Sequence, residues 1–388
     1  MAVAAIICEY NPFHRGHARQ FELTRRALGA DTAIVCLMSG CFVQRGEPAI
    51  VPPLARAKAA LQSGADLVLE NPVTNVLRSA EGYALGSVSL LNALGVVDVL
   101  SFGCECADAE ALMKLARLLR SDAFSEALRP ELDRGLSFAA ARERAAAALG
   151  GESALLEQPN NILGVEYCKA LLATDSPMTP LVIHREGDYH AAALTDPAPA
   201  ATTIRQAMLA GEEVSAAVPA EALAAIGGET LHSWTFGEKA VLARLRTLPQ
   251  EAFAALPHGE EGLWSRFHRA ARTHADLEQI LTAAKSKRYA RTRLQRLMTC
   301  AYLGLDAQTL NQSAPYVRVL GFTERGRALL RTVKDRADLS VLNAGTTPAD
   351  RDYFALEERC VDLYELCAEG AGEFGRLRAW RVLQETEK

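Results

Sequence analysis

No stretch of this 388-residue chain reaches the ~18 consecutive apolar residues that a membrane-spanning helix needs, so no such span is expected. A signal-peptide core is not expected either: the N-terminal apolar run, Ala2 to Cys8, is too short and lacks a basic flank. Charge of one sign is not in excess. With a formal net charge of −5, no global field draws the chain to nucleic acid or anionic lipid, and any such affinity must be local. Cysteine never falls into zinc spacing. Nine are scattered, and the close pair Cys104 and Cys106 has no partner pair, so no metal site is expected and a reduced, cytoplasmic chain is. No internal repeat or low-complexity tract is present, which excludes a repeat architecture. What remains is ordinary globular composition, 49% hydrophobic and 23% charged, long enough for two or three domains.

AVAAIIC, Ala2 to Cys8, reads as a short buried strand that stops at polar turn chemistry. GHARQFELTRRALG then has helical spacing through Ala18, Phe21 and Leu28 and a glycine stop. DTAIVCLM (Asp31 to Met38) is a second strand, and PLARAKAALQSG is a helix entered through Pro52-Pro53 and closed by Gly64. DLVLENP is a third strand, Ala80 to Ala93 a helix, and VDVLSFG (Val97 to Gly103) a fourth strand. Helices follow at about Asp108 to Leu119 and Ala139 to Leu149, then a fifth strand at Pro180 to His184 and a helix from Ala201. Strands alternating with helices at this spacing predict an α/β fold with a parallel, Rossmann-like sheet. Beyond about Gly211, alanine- and leucine-rich segments read as helices to the C-terminus, interrupted near Ser313-Ala314-Pro315 and Asn343-Ala344-Gly345. The expected division is therefore a catalytic domain over 1–215 and a mainly helical domain over 216–388.

In a parallel sheet, ligands bind beyond the carboxyl ends of strands. EYNPFHRGH, Glu9 to His17, occupies that position after the first strand. A helix N-terminus offers unpaired N–H groups that suit phosphate, Gly16 permits close backbone approach, and His14 and His17 are placed to donate to one phosphate. A single histidine here would be a cap or a solvated side chain; two framing a glycine point to chemistry. ATTIR (Ala201 to Arg205) has two readings, a plain capping box with Thr203 as N-cap and Gln206 three residues on, or a second phosphate motif.

HRGH resembles the HxGH signature of the nucleotidylyltransferase superfamily, and ATTIR resembles that superfamily's Ser/Thr-rich run ending in Arg. The longer set, EYNPFHRGH, MSGCFVQRGEPA, FGCE, PNNILG and KSKRYARTRLQR, resembles the bacterial tRNA(Met) cytidine acetate ligase family along nearly the whole chain. The resemblance implies an enzyme that joins ATP, with Mg²⁺, and acetate into acetyl-adenylate, releases pyrophosphate, and acetylates the wobble cytidine of elongator tRNA(Met). Cys41 in SGCF and Cys104 in FGCE depart from the small or polar residues expected there.

Carried over by motif, His14, His17 and Arg205 are the expected catalytic residues. The ATP site is expected to hold Ile7, Cys8, Glu9, Tyr10, Asn11, Pro12, Phe13, His14, Arg15, Gly16, His17, Ala18, Arg19 and Gln20. Gly103, Asn160 or Asn161, and Arg185 in HREGDYH join it. The plain alternatives are a strand-ending glycine, an Asn helix cap and a surface arginine.

Lys285 to Arg296 holds six positive residues, and no acid appears from Gln279 through Leu305. Read as one helix, it carries an apolar stripe at Ala290, Leu294, Leu297 and Ala301, with cations on the other faces. Missing i,i+4 acids favour a polyanion partner. Lys285, Lys287, Arg288, Arg291 and Arg293 are expected to meet RNA, with Tyr289 stacking on a base. Two rivals are a small-molecule adenylyltransferase of coenzyme-biosynthesis type and an RNA-binding protein with a decayed site.

Overall fold

The computed structural model describes residues 1–185, 199–346, 348–375 and 382–385. The apolar runs become buried strands. VAAIIC forms β1 (Val3–Cys8) and AIVCLMS forms β2 (Ala33–Ser39), every residue buried. Between them α1 (Arg15–Leu28) ends at Gly29, whose φ of +109° breaks the helix. A short hairpin, β3 (Phe42–Val43) and β4 (Glu47–Pro48), follows. Next come α2 (Pro53–Gln62), β5 (Leu67–Asn71), α3 (Val73–Val76), α4 (Ala80–Ala93) and β6 (Val99–Cys104). The helices α5 (Ala109–Leu119), α6 (Asp122–Asp133), α7 (Phe138–Ala148) and α8 (Pro159–Ala173) precede β7 (Thr179–His184).

The chain then turns mainly helical. It runs through α9 (Ala201–Leu209), α10 (Ala220–Ile226), α11 (Trp234–Thr247), α12 (Gln250–Ala254) and α13 (Leu263–Thr273). After these come α14 (Leu277–Ala284), α15 (Arg291–Leu303) and α16 (Ala307–Asn311). It closes with β8 (Tyr316–Phe322), α17 (Glu324–Arg336), β9 (Ser340–Leu342), α18 (Arg351–Glu365) and β10 (Leu383–Gln384).

The strand order is β10-β8-β5-β2-β1-β6-β7, with β9 paired to β8. From β5 to β7 all neighbours are parallel. The chain winds from β1 through β2 to β5 on one side, then returns to lay β6 and β7 on the other. The crevice between the carboxyl ends of β1 and β6 is therefore the point where strand order reverses, the usual ligand position in such sheets. Strand alternation serves both faces: Ala5 and Ile7 pack with Val88, Leu91 and Leu112, while Ile6 and Cys8 pack with Phe21, Ala57 and Ile204. A third core joins α11, α13, α14, α15 and α18 and takes in Phe42 and Val43 of the hairpin.

The reading of helical segments alone after residue 211 is corrected in one respect, since strands follow the interruption near 313–315. Tyr316–Phe322 returns to the sheet as β8, antiparallel to β5. Its central Arg318 disguises a strand, because the partners that permit its burial are distant in sequence. Arg318 pairs with Glu70 of β5 at 2.8 Å and lies 3.7 Å from Glu357 of α18. In register, Glu70 sits opposite Arg318, so the ion pair also fixes how β8 lies against β5.

Candidate active site

A cleft of about 310 Å³ opens at the β1/β6 crevice. From the first strand and its turn it is lined by Ile7, Cys8, Glu9, Tyr10, Asn11, His17 and Gln20, and from elsewhere by Gly103, Asn160, Arg185 and Arg205. The turn is rigidly built. Tyr10 has a φ of +47°, unusual for a residue with a side chain, and burial holds it there. Its ring meets those of Phe13 at 4.9 Å and His17 at 4.8 Å, and its hydroxyl lies 3.3 Å from the Cys36 sulfur.

His14 is the N-cap of α1, and His17 completes a capping box in which both partners are histidines. Nδ1 of His14 accepts from the Gly16 amide at 3.1 Å, and Nδ1 of His17 accepts from the His14 amide at 3.2 Å. The two rings stack with centroids 3.7 Å apart. Burial, helped by the nearby Arg185 cation, pushes His14 down to about 3. Burial, then His14, then Arg185 hold His17 well below its ordinary value. A neutral imidazole that accepts at Nδ1 carries its proton at Nε2. The box therefore fixes one tautomer in each ring, with Nε2–H left to donate elsewhere.

Arg205 approaches the same turn from α9. Its guanidinium donates to the Asn11 carbonyl at 2.9 Å and to the Thr202 hydroxyl at 3.2 Å, and lies 3.6 Å from Glu47. The capping-box alternative for ATTIR does not hold: the N-cap of α9 is Ala200, and Thr203 sits inside the helix. Gly103 is more than a strand end, since a Cβ there would come within 3.1 Å of the Arg185 side chain. Arg185 in turn donates to the Asn160 side chain at 3.4 Å. The rest of HREGDYH, residues 186–190, lies outside the described residues.

The two asparagines separate. Asn160 lines the cleft and donates to Glu105 at 2.6 Å. Asn161 is buried, and its side-chain oxygen accepts from the Cys106 amide at 2.8 Å. Neither caps α8, whose N-cap is Gln158. Pro12, Phe13, His14, Arg15, Gly16, Ala18 and Arg19 do not line the cleft, and His14 adjoins it through the ring it stacks on His17. Phe13 is core, Ala18 borders a separate surface hollow, and Arg15 is spent on the Ala216 carbonyl at 2.9 Å. Cys41 lies away from the cleft, beside Glu70 and Arg318 in a cavity of about 20 Å³. Cys104 is buried and its thiol donates to the Asn160 carbonyl at 3.3 Å, so it supports the start of α8.

Several cleft residues escaped the sequence reading: Gln44, Arg45, Tyr83, Phe102 and Tyr167. Gln44 and Arg45 belong to the quoted QRGE segment, whose Gly46 marks the hairpin turn at φ +79°. The Gln44 amide donates to Glu9 at 2.8 Å. Burial pushes the Glu9 carboxyl up, while the Gln44 amide, Arg45 and Arg205 hold it down in part.

The basic segment is not one helix. Lys285 is the C-cap of α14, Ala290 the N-cap of α15, and the residues between are a loop. Leu294, Leu297 and Ala301 are buried as the stripe required, but Ala290 is exposed. Acids absent from the segment arrive from elsewhere in the fold: Arg288 pairs with Glu261 at 3.1 Å, Arg291 with Glu278, and Arg293 with Glu260 at 2.8 Å. Tyr289 is 9% exposed, and its hydroxyl donates to the Glu261 carbonyl at 2.9 Å, so it does not present a free ring.

A strand-reversal crevice, a two-histidine helix start and an arginine held over it define a nucleotidyl-transfer fold. The family model described as HIGH Nucleotidyl Transferase matches residues 1–376. Among curated relatives, the tRNA(Met) cytidine acetate ligase of Acetivibrio thermocellus is 34% identical over 95% of this chain and 95% of its own length. That of Syntrophotalea carbinolica is 38% identical over 88% of this chain and 84% of its own. Thermotoga maritima TmcAL in its apo crystal form superposes with a TM-score of 0.92 at 28% identity, covering all of both chains. The same protein bound to alpha-thio ATP gives 0.89 at 29% identity, covering 99% of this chain and 100% of its own. The chain belongs to the HIGH nucleotidyl transferase family and, within it, to the tRNA(Met) cytidine acetate ligases.

Proposed function

We propose that this chain activates acetate with ATP as acetyl-adenylate, releasing pyrophosphate, and then acetylates the exocyclic amine of the wobble cytidine of elongator tRNA(Met). The observation that carries the chemistry is the histidine capping box with Arg205 anchored over the same turn. Acetate is already ionised at pH 7 and needs no base. Repulsion between acetate and triphosphate is the obstacle, so positioning and fixed donors matter most. Nε2–H of His14 and His17, with Arg205 and Arg185, would meet the charge that develops as the α-phosphate is attacked and pyrophosphate departs. Mg²⁺ would enter as the counter-ion of ATP, held mainly by phosphate oxygens and water.

The catalytic part is assigned to residues 1–215 and the RNA-facing part to 216–388, with β8 to β10 completing the sheet. Incubation with ATP, labelled acetate and candidate tRNAs tests the reading by following pyrophosphate and labelled RNA. Acetate-dependent pyrophosphate with label in tRNA(Met) is expected. Pyrophosphate without labelled RNA, even with tRNA(Met) present, would point instead to a small-molecule adenylyltransferase, and no turnover to a decayed site.

A further inference from the structure

A second, larger concavity of about 750 Å³ lies between the sheet side of the molecule and the helical part. Its walls include Arg78 and Ser79 before α4, Phe138 at the start of α7, the 285–290 loop, and Arg296 of α15. The charges along the basic segment sort into two sets. Arg288, Arg291 and Arg293 are matched to glutamates. Among the described residues no acid pairs with Lys285 or Lys287, both exposed into this groove.

Two further cations there were not singled out by sequence. Arg78 donates only to carbonyls, those of Thr74 and Leu310 at 2.9 Å and Gln312 at 2.9 Å. Arg296 is 8% exposed, and its Nε has no hydrogen-bond partner. A buried guanidinium N–H without an acceptor is costly, and a bound anion would supply one. At the rim stands Phe138, 55% exposed, an unusual position for a phenylalanine and a flat face on which a base can stack.

The groove and the cleft meet at one element. Arg78, Ser79 and Gly82 face the groove, whereas Ala80 and Tyr83, on the same first turn of α4, face the cleft. The two surfaces are therefore different faces of one helical turn, a helix width of roughly 10 Å apart.

We propose that this groove holds the single-stranded anticodon loop: its phosphates lie against Lys285, Lys287, Arg78 and Arg296, a loop base stacks on Phe138, and the adjacent base crosses the first turn of α4 into the cleft. The assignment rests on the function proposed above and adds the path of the RNA. Unpaired loops, not duplex, offer the exposed bases that a phenylalanine can stack on.

The test is fluorescence anisotropy of a labelled anticodon stem–loop of tRNA(Met) and of an acceptor-stem hairpin, at several salt concentrations. Phe138→Ala and the double variant Lys285→Ala/Lys287→Ala change exposed side chains, and Arg331→Ala, an exposed cation outside the groove, is the control. Phe138→Ala should weaken stem–loop binding about tenfold with the salt slope unchanged. The double lysine variant should weaken it by a similar factor and reduce the slope by about 1 to 2. Arg331→Ala should do neither, and the acceptor hairpin should bind more weakly than the loop. If wild type binds the stem–loop and neither groove variant changes it, or if the acceptor hairpin binds as well with the same sensitivities, the proposal is wrong. Wild-type protein that binds tRNA(Met) in no form would remove the functional reading itself, which is a separate failure.

Discussion

At the scale of single residues, His14 and His17 act as a pair. Each Nδ1 is occupied by a backbone amide, so replacing either ring removes an Nε2–H donor and half of the capping box. His14→Ala and His17→Ala should each lower the rate of acetate-dependent ATP–pyrophosphate exchange by about 10²–10³. The depressed pKa values also predict a pH dependence of stability. A histidine whose native pKa lies below its unfolded value of about 6.5 binds fewer protons when folded, so its contribution is complete above that value. It is lost as pH falls toward the native pKa. For His14, pushed down to about 3, the loss between pH 6.5 and 5 is about 2 kcal/mol. His17 is shifted the same way, and burial takes His258 down to about 4. Thermal melts should show a marked fall in Tm between pH 6.5 and 5, and a flat profile there would contradict neutral, buried rings. Gly103→Ala should displace Arg185 and raise the KM for ATP roughly fivefold, about 1 kcal/mol, with less effect on kcat.

At the scale of elements, the cleft depends on how α2 and the hairpin tie down the strand ends. Arg56 of α2 is wholly buried and donates to the carbonyls of Val51 at 3.1 Å, Glu9 at 2.6 Å, Ser39 at 2.9 Å and Gly40. Arg56→Ala leaves those acceptors buried without a donor and should cost about 3–5 kcal/mol in denaturant unfolding; a loss below about 1 kcal/mol would contradict this role. The hairpin is pinned from the other side, where Gly46 accepts from Thr299 at 2.8 Å and Trp234 at 3.1 Å. The elements legible in the sequence are those whose signals are local. β1, β2, β5 and β6 are apolar runs bounded by turn residues, and α4 was readable to the residue. β8 was hidden because Arg318 needs Glu70 and Glu357 to be buried, and neither neighbours it in sequence. The pairing of Arg288, Arg291 and Arg293 is hidden in sequence for the same reason: their counter-charges, Glu261, Glu278 and Glu260, lie outside the 285–296 stretch. Within the cleft, the histidine turn and Arg205 were readable from motif, whereas Gln44, Arg45 and Tyr83 reach it only through the folding of the hairpin and α4.

At the scale of the molecule, a mildly acidic chain places Lys285 and Lys287, which no acid among the described residues pairs, in one groove beside the crevice. Replacing Lys285, Lys287, Arg288, Arg291 and Arg293 by Ala should therefore reduce tRNA acetylation at least tenfold more than it reduces ATP–pyrophosphate exchange. Arg291→Ala alone should cost less than the lysine pair, because Glu278 already neutralises it. Among the described residues no helix is long and apolar enough to cross a membrane.

The central claim is that the turn after β1 grips the triphosphate. A crystal structure of this chain with a non-hydrolysable ATP analogue tests it most directly. The account predicts the α-phosphate within hydrogen-bond distance of Nε2 of His14 or His17, with Arg205 on the same phosphate chain. A nucleotide bound away from the β1/β6 crevice, with both imidazole Nε2 atoms facing solvent, would contradict it.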